Sequence, residues 1–245
     1  MWIPRWLGET YSELYTTFGT ETFTFEGAKR VLNMPKNRLA VAFSKLHRQK
    51  ILTIFKRSVP RVYRLLDAEN FVLLASGKIN RVDIKQERYL KLVLDVFRET
   101  WKRFSLVSFA LYGSIARGTA KPESDLDILL ISDDFEGSIA SRIDKLVKVE
   151  NKVEEEIFWL MKHEIYPVVS FYPIRRVEAE QLPLLFLDLI EDAKIIYDED
   201  SFLRNLLNNL QAKLVTLGAK KVNLGDGSWY WDLKPDYKPM EVIDI

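Results

Sequence analysis

The amino-acid sequence predicts an α+β protein in two parts, because two different patterns of apolar residues follow one another along the chain. Residues 9–66 predict three helices and a β-hairpin, whereas residues from about 83 to 217 alternate short apolar strands with amphipathic helices. The 245 residues, 47% of them hydrophobic, are enough to bury two cores. We therefore expect an N-terminal domain with its connector at 1–80, a larger α/β domain at 81–218, and an aromatic tail at 219–245 packed on the core.

The charge distribution supports this division. The net charge is only +1, but the segment from Lys29 to Arg64 contains eleven Lys and Arg residues and no Asp or Glu. The rest of the chain carries all 35 acidic residues against the other 25 basic ones. Two parts with opposite charge are expected to meet different partners.

The composition excludes several kinds of site. The chain has no Cys and only two His residues, which rules out disulfides and thiolate metal sites and argues against a histidine-rich zinc site. Any metal must therefore bind to carboxylates, and we expect His47 to be structural. No segment approaches the roughly 18 consecutive apolar residues of a membrane span, and no secretory leader is recognisable. We expect a soluble cytoplasmic protein without a membrane partner.

The N-terminal part has the element order of a winged helix-turn-helix. On the third helix, Leu39, Ala42 and Leu46 recur at helical spacings, so one face packs inward while a basic face points outward. Two alternating segments after it form a hairpin with a basic tip, which is a candidate wing. The predicted elements are helices at about 9–18, 25–34 and 36–49 and strands at 51–56 and 61–65.

A basic helix face followed by a basic hairpin tip is typical of a module that binds double-stranded DNA. Contacts to phosphates would give salt-dependent affinity without sequence choice. Contacts to a protein, or docking on the acidic remainder of the same chain, are the alternatives. The candidate DNA-binding residues are Lys36, Asn37, Arg38, Lys45 and Arg48 on the helix and Lys56, Arg57 and Arg61 on the wing.

The second part begins with connecting helices. A short helix ends at Gly77, and a long amphipathic helix from about Asp83 to Phe104 buries one continuous face. Strands and helices then alternate. The predicted strands are 106–112, 126–132, 166–174 and 194–197, and the predicted helices are 139–162, 181–190 and 201–217.

The chemistry is concentrated in the segments Gly113–Gly118 and Ser124–Leu129, with the sequences GSIARG and SDLDIL. Because side chains alternate along a strand, Asp125 and Asp127 point to one side while Leu126 points into the core. Two converging carboxylates suit Mg²⁺ or Mn²⁺, and phosphates of a nucleoside triphosphate (NTP) would complete the metal's coordination.

The turn between these segments is suited to phosphate. Gly113 lets backbone N–H groups approach phosphate oxygens, and Ser114 adds a hydroxyl donor. Arg117 could contact a phosphate or brace the loop, and Gly118 permits the next turn. The candidate nucleotide-binding residues are Gly113, Ser114, Arg117, Gly118 and Ser124, and the candidate catalytic and metal-binding residues are Asp125 and Asp127.

This combination resembles the DNA polymerase beta superfamily of nucleotidyltransferases, over about residues 85–200. The sequences of the two segments are most similar to those of the minimal nucleotidyltransferases of bacteria and archaea, and the combination with a winged helix resembles archaeal members. The resemblance implies a mixed-sheet fold and Mg²⁺-dependent transfer of a nucleoside monophosphate from an NTP to a hydroxyl acceptor. It also leaves open a protein acceptor, a partner toxin, and a homodimer.

One feature of the superfamily is missing. Active members commonly carry a third carboxylate on the neighbouring strand, but the polar position at the centre of that strand is Ser170 here. Glu164, Glu178 and Glu180 are the nearest acids and would have to reach in from its ends. The alternative to an enzyme is therefore a weak or inactive nucleotidyltransferase fold that acts as a DNA-binding regulator or antitoxin.

Two further segments are expected to have structural roles. We expect the tail with Trp229 and Trp231 to pack on the globular domain, and a lid over the nucleotide cleft is the alternative. The acidic run of Glu154, Glu155 and Glu156 is expected to be a solvated helix face.

Overall fold

A computed structural model of the chain describes residues 3–80, 83–225 and 229–236. Its N-terminal part, residues 3–66, contains three helices and a small antiparallel sheet with the strand order β1-β3-β2. The elements are α1 (Arg5–Phe18), β1 (Thr22–Thr24), α2 (Phe25–Val31), α3 (Lys36–Arg48), β2 (Leu52–Lys56) and β3 (Val62–Leu65).

The predicted inward face of α3 is confirmed. Leu39, Ala42 and Leu46 are fully buried in one apolar cluster with residues of α1 and the sheet. Thr24 begins α2 by accepting a 3.1 Å hydrogen bond from the Gly27 N–H, which satisfies a donor that the first helical turn leaves without a partner.

The connector differs from its prediction. Helix α4 (Ala68–Ser76) ends at Gly77 as expected, and a 3₁₀ turn, Glu87–Tyr89, precedes α5 (Leu90–Trp101). The long helix predicted from Asp83 thus begins seven residues later. Just before α5, Gln86 and Glu87 form hydrogen bonds with Ala120 and Ile54, which lie more than thirty residues away in the sequence. These side chains are therefore held by distant parts of the chain, and the helix begins only after them.

The larger part, residues 83–217, is built on a four-stranded mixed sheet with the order β6-β5-β4-β7. Strands β5 and β6 are parallel, and the other two pairs are antiparallel, which agrees with the expected mixed sheet. Its elements are β4 (Ser108–Tyr112), α6 (Gly113–Arg117), β5 (Leu126–Ile131), α7 (Ile139–Met161), β6 (Val169–Ile174), α8 (Arg176–Ala179), α9 (Leu185–Asp192), β7 (Lys194–Asp198) and α10 (Phe202–Leu217).

Helices cover both faces of this sheet. Leu111 and Ile128 are buried with α5 and α7 on one face, and Ala110 and Leu129 are buried with α9 and α10 on the other. Strands β8 (Lys220–Asn223) and β9 (Trp229–Asp232) form a hairpin after α10. Trp231 of this hairpin packs on the second cluster, and residues 226–228 and 237–245 of the predicted tail lie outside the described residues.

Buried ion pairs join the two parts of the chain. Arg64 of β3 donates to both carboxylate oxygens of Glu156 on α7, and its guanidinium lies 3.4 Å from the centroid of the Trp159 ring. Lys91 of α5 lies 3.2 Å from the same carboxylate. The expectation that Glu156 belongs to a solvated face is therefore wrong, although Glu154 and Glu155 are exposed.

The same contacts reduce the basic surface of the N-terminal part. Arg64 pairs with Glu156, and Lys50 pairs with Glu87 at 2.7 Å. Both cations are counted among the eleven between Lys29 and Arg64, but they serve the interface between the two parts. Within the described residues, no helix is long and apolar enough to cross a membrane.

Candidate active site

The candidate site lies at the end of β4 and the beginning of β5. Asp127 stands between Tyr112 of β4 and Ser170 of β6 in the register of the sheet. Leu126 and Ile128 are fully buried, as the alternation of the strand predicted, whereas Asp127 is half-buried on the opposite face and Asp125 is exposed just before the strand.

Gly113 contacts the Asp127 carboxylate too closely to carry a side chain. Its φ of +71° lies in the left-handed region, and a Cβ atom built there would stand 2.1 Å from Oδ2 of Asp127. The backbone where β4 passes into α6 therefore lies in close contact with the carboxylate, and only glycine can occupy position 113 without a clash.

The electrostatics of the carboxylate pair favour a cation. Burial raises the pKa of Asp127, the negative charge of Asp125 raises it further, and Arg117 opposes both. Burial, followed by the charge of Asp127, also raises the pKa of Tyr112 to about 12. A divalent cation would compensate the charge that this half-buried site disfavours.

The loop from Gly118 to Ser124 connects the Gly113 turn to the aspartates. Gly118 has a φ of +80°, and a Cβ atom there would lie 2.7 Å from Cδ of Lys85, so the Lys85 stem covers it. The Ser124 hydroxyl accepts a 2.8 Å hydrogen bond from the Lys121 N–H and closes the loop. The carbonyl of Ser114 accepts the N–H groups of Gly118 and Thr119, each at 2.9 Å.

Arg117 is engaged with an acidic helix. Its Nη1 lies 3.1 Å from Oδ2 of Asp192 on α9, and its side chain is 40% exposed. This ion pair connects α6 to α9.

Asp188, one turn earlier on α9, was not singled out from the sequence. Burial raises its pKa, while Lys221 and Arg117 oppose the increase, and its charge in turn acts on Tyr112. The spacing of four between Asp188 and Asp192, on a helix that is otherwise rich in Leu, was the available signal.

The third carboxylate is absent from the central position of β6. Ser170 is the partner of Asp127 in the parallel pair β5–β6. Glu178 is bound by Arg142 through two hydrogen bonds of 2.7 Å, and this pairing lowers its pKa to about 2. It follows the far end of β6, so it does not replace the missing acid. Among the residues that the structure describes, no cluster of three or more His, Asp or Glu side chains is arranged for a metal.

The candidate DNA-binding residues lie together on α3 and around the tip between β2 and β3, and all are exposed except Lys45, which is partly buried. Two of them meet an aromatic residue that the sequence did not single out. Arg38 and Lys45 lie over the ring of Trp6 on α1, each 5.4 Å from its centroid. This contact gives both long side chains a defined position on the surface.

Comparison with known proteins assigns the sheet region to a family. Residues 90–203 match the Nucleotidyltransferase domain family. A protein of Methanocaldococcus jannaschii with the name "Putative protein adenylyltransferase" is 31% identical over 128 residues, which cover 51% of this chain and 83% of that protein. This chain belongs to the nucleotidyltransferase family. The matched residues of this nucleotidyltransferase include the Gly113 turn and both aspartates.

Two solved structures are more distant from this nucleotidyltransferase. A chain in a crystal structure of a toxin-antitoxin with AMP-PNP is 14% identical, with a TM-score of 0.35, and the match covers 51% of this chain and 92% of that one. The archaeal chromatin protein TrmBL2 is 11% identical, with a TM-score of 0.25, and the match covers 85% of this chain and 92% of that one.

Proposed function

We propose that this nucleotidyltransferase uses Mg²⁺ or Mn²⁺ to transfer a nucleoside monophosphate from an NTP to a hydroxyl group, with release of pyrophosphate. The observation that carries the proposal is the close packing of the Gly113 turn against the Asp127 carboxylate. It brings the candidate phosphate turn and the candidate metal ligands to one place.

Each side chain has a role in this proposal. Asp125 and Asp127 hold the metal, which when bound neutralises charge on the phosphates. The backbone of Gly113 and the hydroxyl of Ser114 hold the triphosphate. Gly118 and Ser124 shape the loop between them, and Arg117 braces the turn against α9.

The transfer itself is an in-line displacement. The acceptor oxygen forms a bond to the α-phosphorus, the bond from that phosphorus to the bridging oxygen breaks, and pyrophosphate leaves with the electron pair. The acceptor's proton passes to solvent or to an ionised carboxylate at a position other than 170, since residue 170 is Ser.

We propose a protein hydroxyl as the acceptor and ATP as the donor. The support is the relative in Methanocaldococcus jannaschii, whose name describes a protein adenylyltransferase. The family assignment alone is compatible with any hydroxyl acceptor.

We also propose that residues 1–80 form a winged-helix domain that binds double-stranded DNA, followed by a catalytic domain at 81–218 and a tail at 219–245 whose Trp231 packs on the catalytic domain. The element order and the strand order β1-β3-β2 support the winged-helix assignment. The exposed cations on α3 and around the wing tip support a polyanionic partner.

The test is NTP binding measured by calorimetry with and without Mg²⁺. Wild type and Asp144→Asn, a substitution of an exposed acid on α7, are expected to bind in a Mg²⁺-dependent manner. Asp127→Asn keeps the shape of the side chain and removes its charge, so it should abolish that binding. If wild type binds none of the four NTPs, the proposed site is wrong.

A second candidate, a regulator that binds the NTP without turnover, is favoured by Ser170 opposite Asp127. ATP labelled at the α-phosphate distinguishes the two when it is incubated with the chain and a cell extract. Labelled protein together with released pyrophosphate supports the enzyme. Mg²⁺-dependent binding without either product supports the regulator.

A further inference from the structure

A short segment, Lys85–Tyr89, contacts both the N-terminal part and the loop of the candidate active site; we call it the bridge segment. On its N-terminal side, Glu87 is almost fully buried and accepts hydrogen bonds from the Ile54 N–H at 2.8 Å and from Lys50 Nζ at 2.7 Å. His47 Nε2 lies 2.9 Å from each of its carboxylate oxygens. Glu87 thus binds the end of α3 and strand β2 together.

The neighbouring residues of the bridge segment hold the loop from Gly118 to Ser124. The side-chain amide of Gln86 accepts from the Ala120 N–H at 3.0 Å and donates to the Ala120 carbonyl at 2.8 Å. The Tyr89 hydroxyl donates to the Lys121 carbonyl at 3.1 Å. Three hydrogen bonds therefore connect the bridge segment to two consecutive residues of this loop.

The position of this loop matters for the proposed nucleotide site. At one end it continues the helix that starts at Gly113, and at the other end it leads directly into Asp125. Ala120 and Lys121 lie between the two ends, so a shift there moves the phosphate turn and the aspartates relative to each other. A displacement of about 1 Å is enough to impair binding or catalysis strongly.

We propose that the bridge segment couples the N-terminal part to the nucleotide site, with Gln86 and Tyr89 as positioning residues for the loop and Glu87 as the group that senses α3 and β2. The proposal rests on the proposed function of the Asp125–Asp127 site. Coupling between two sites is reciprocal, so a polyanion that moved α3 would change NTP affinity, and the NTP would change affinity for the polyanion in return.

The chemistry of Glu87 suits this role. Its burial disfavours the carboxylate, but the hydrogen bonds from Ile54 and Lys50 outweigh this effect and lower its pKa below the ordinary value. Its negative charge is thus matched to donors that belong entirely to the N-terminal part. Any movement of α3 or β2 changes these donors and acts on the backbone next to Gln86.

The decisive variant is Glu87→Gln, which keeps the shape of the side chain and weakens its contacts on the N-terminal side only. The matched control is Glu21→Gln, because Glu21 accepts a 2.8 Å hydrogen bond from Trp159 Nε1 and so also joins the two parts, through residues outside the bridge segment and the loop. Both variants are read by amide hydrogen exchange of Ala120 and Ser124 without nucleotide, and by Mg²⁺–ATP affinity.

We expect Glu87→Gln to speed exchange at Ala120 and to weaken Mg²⁺–ATP binding by about fivefold or more, the lower range of measured couplings. Glu21→Gln should change neither. A second substitution, Gln86→Ala, removes both side-chain hydrogen bonds to the Ala120 backbone. In that background, Glu87→Gln should have little further effect on exchange. If Glu87→Gln leaves exchange in this loop as it is in Glu21→Gln, the coupling is refuted.

The two readouts separate this inference from the proposed function. Exchange at Ala120 requires no nucleotide, so it decides the coupling of the loop to Glu87 even if wild type fails to bind any NTP. If Glu87→Gln does not fold, Lys50→Gln, which removes one donor to Glu87, replaces it with the same expected direction and a smaller effect.

Discussion

Replacing Gly113 by alanine tests the geometry of the site most directly, because it should damage nucleotide binding far more than stability. The backbone at Gly113 has a φ of +71°, which costs a residue with a Cβ atom about 1–2 kcal/mol. For a chain of this size that corresponds to a decrease in Tm of roughly 2–8 °C. The Asp127 carboxylate must also move away, since the new Cβ would lie 2.1 Å from Oδ2.

The loss of function follows from that movement. The carboxylate oxygen has to retreat from 2.1 Å by more than about 1 Å to reach an ordinary contact distance, and a misplacement of about 1 Å can already cost about a hundredfold. We therefore expect Mg²⁺–ATP affinity, measured by calorimetry, to decrease by about this factor in Gly113→Ala.

The matched control is Gly77→Ala. Gly77 has a φ of +69°, but no atom lies within 4 Å of the Cβ position there. It should lose a comparable amount of Tm and keep its nucleotide affinity. If Gly113→Ala binds Mg²⁺–ATP as tightly as Gly77→Ala, the reasoning about the Asp127 carboxylate is wrong. In an Asp127→Ala background, Gly113→Ala should cost only the backbone strain.

Three further outcomes are expected. In the double variant Arg57→Gln and Arg61→Gln, affinity for duplex DNA, measured by fluorescence anisotropy, should decrease. The slope of log affinity against log salt concentration should become shallower by roughly 2, because each lost phosphate contact contributes about 0.9. An unchanged slope would show that the wing does not contact the DNA. Glu178→Gln should destabilise the fold at neutral pH by about 1–3 kcal/mol, because the Gln amide can accept only one of the two hydrogen bonds from the buried Arg142 guanidinium and carries no charge to balance it. The pKa of Glu178 is lowered from 4.5 to about 2, so its contribution is complete above pH 4.5 and is lost as the pH falls toward 2; urea titrations of wild type should show this loss, and those of the variant should not. The pKa of Asp127 is raised by burial, so protons should compete with Mg²⁺ at a higher pH than they do at an exposed aspartate. Calorimetry should therefore show that Mg²⁺–ATP affinity decreases on acidification. A constant affinity down to the pH at which an ordinary aspartate is protonated would contradict this.

The local features of the site could be predicted from the sequence. The alternation of β5 determined that Leu126 and Ile128 are buried and that Asp127 lies on the opposite face. Gly113 indicated a tight turn where β4 passes into α6, and Ser170 was correctly identified as the residue opposite Asp127. These predictions succeed because strand alternation and turn chemistry depend on neighbours in sequence.

Side-chain pairings between distant elements could not be predicted in this way. Glu156 was expected in solvent because its neighbours in the sequence are acidic, yet it is buried against Arg64, 92 residues away. Asp188 and Asp192, the partner of Arg117, lie near the site only because α9 packs against β4 and α6. A charged residue is buried where another element supplies a counter-charge, and periodicity within one helix carries no information about that element.

The beginning of α5 also depends on contacts between residues that are distant in the sequence. The apolar period predicted a helix from Asp83, but the helix starts at Leu90 because Gln86 and Glu87 form hydrogen bonds with Ala120 and Ile54. The sequence by itself determined most of the strands and helices and identified candidate residues for metal and phosphate. The tertiary structure alone decided how the N-terminal part is joined to that site, since the joining contacts involve residues more than thirty positions apart, brought together by packing.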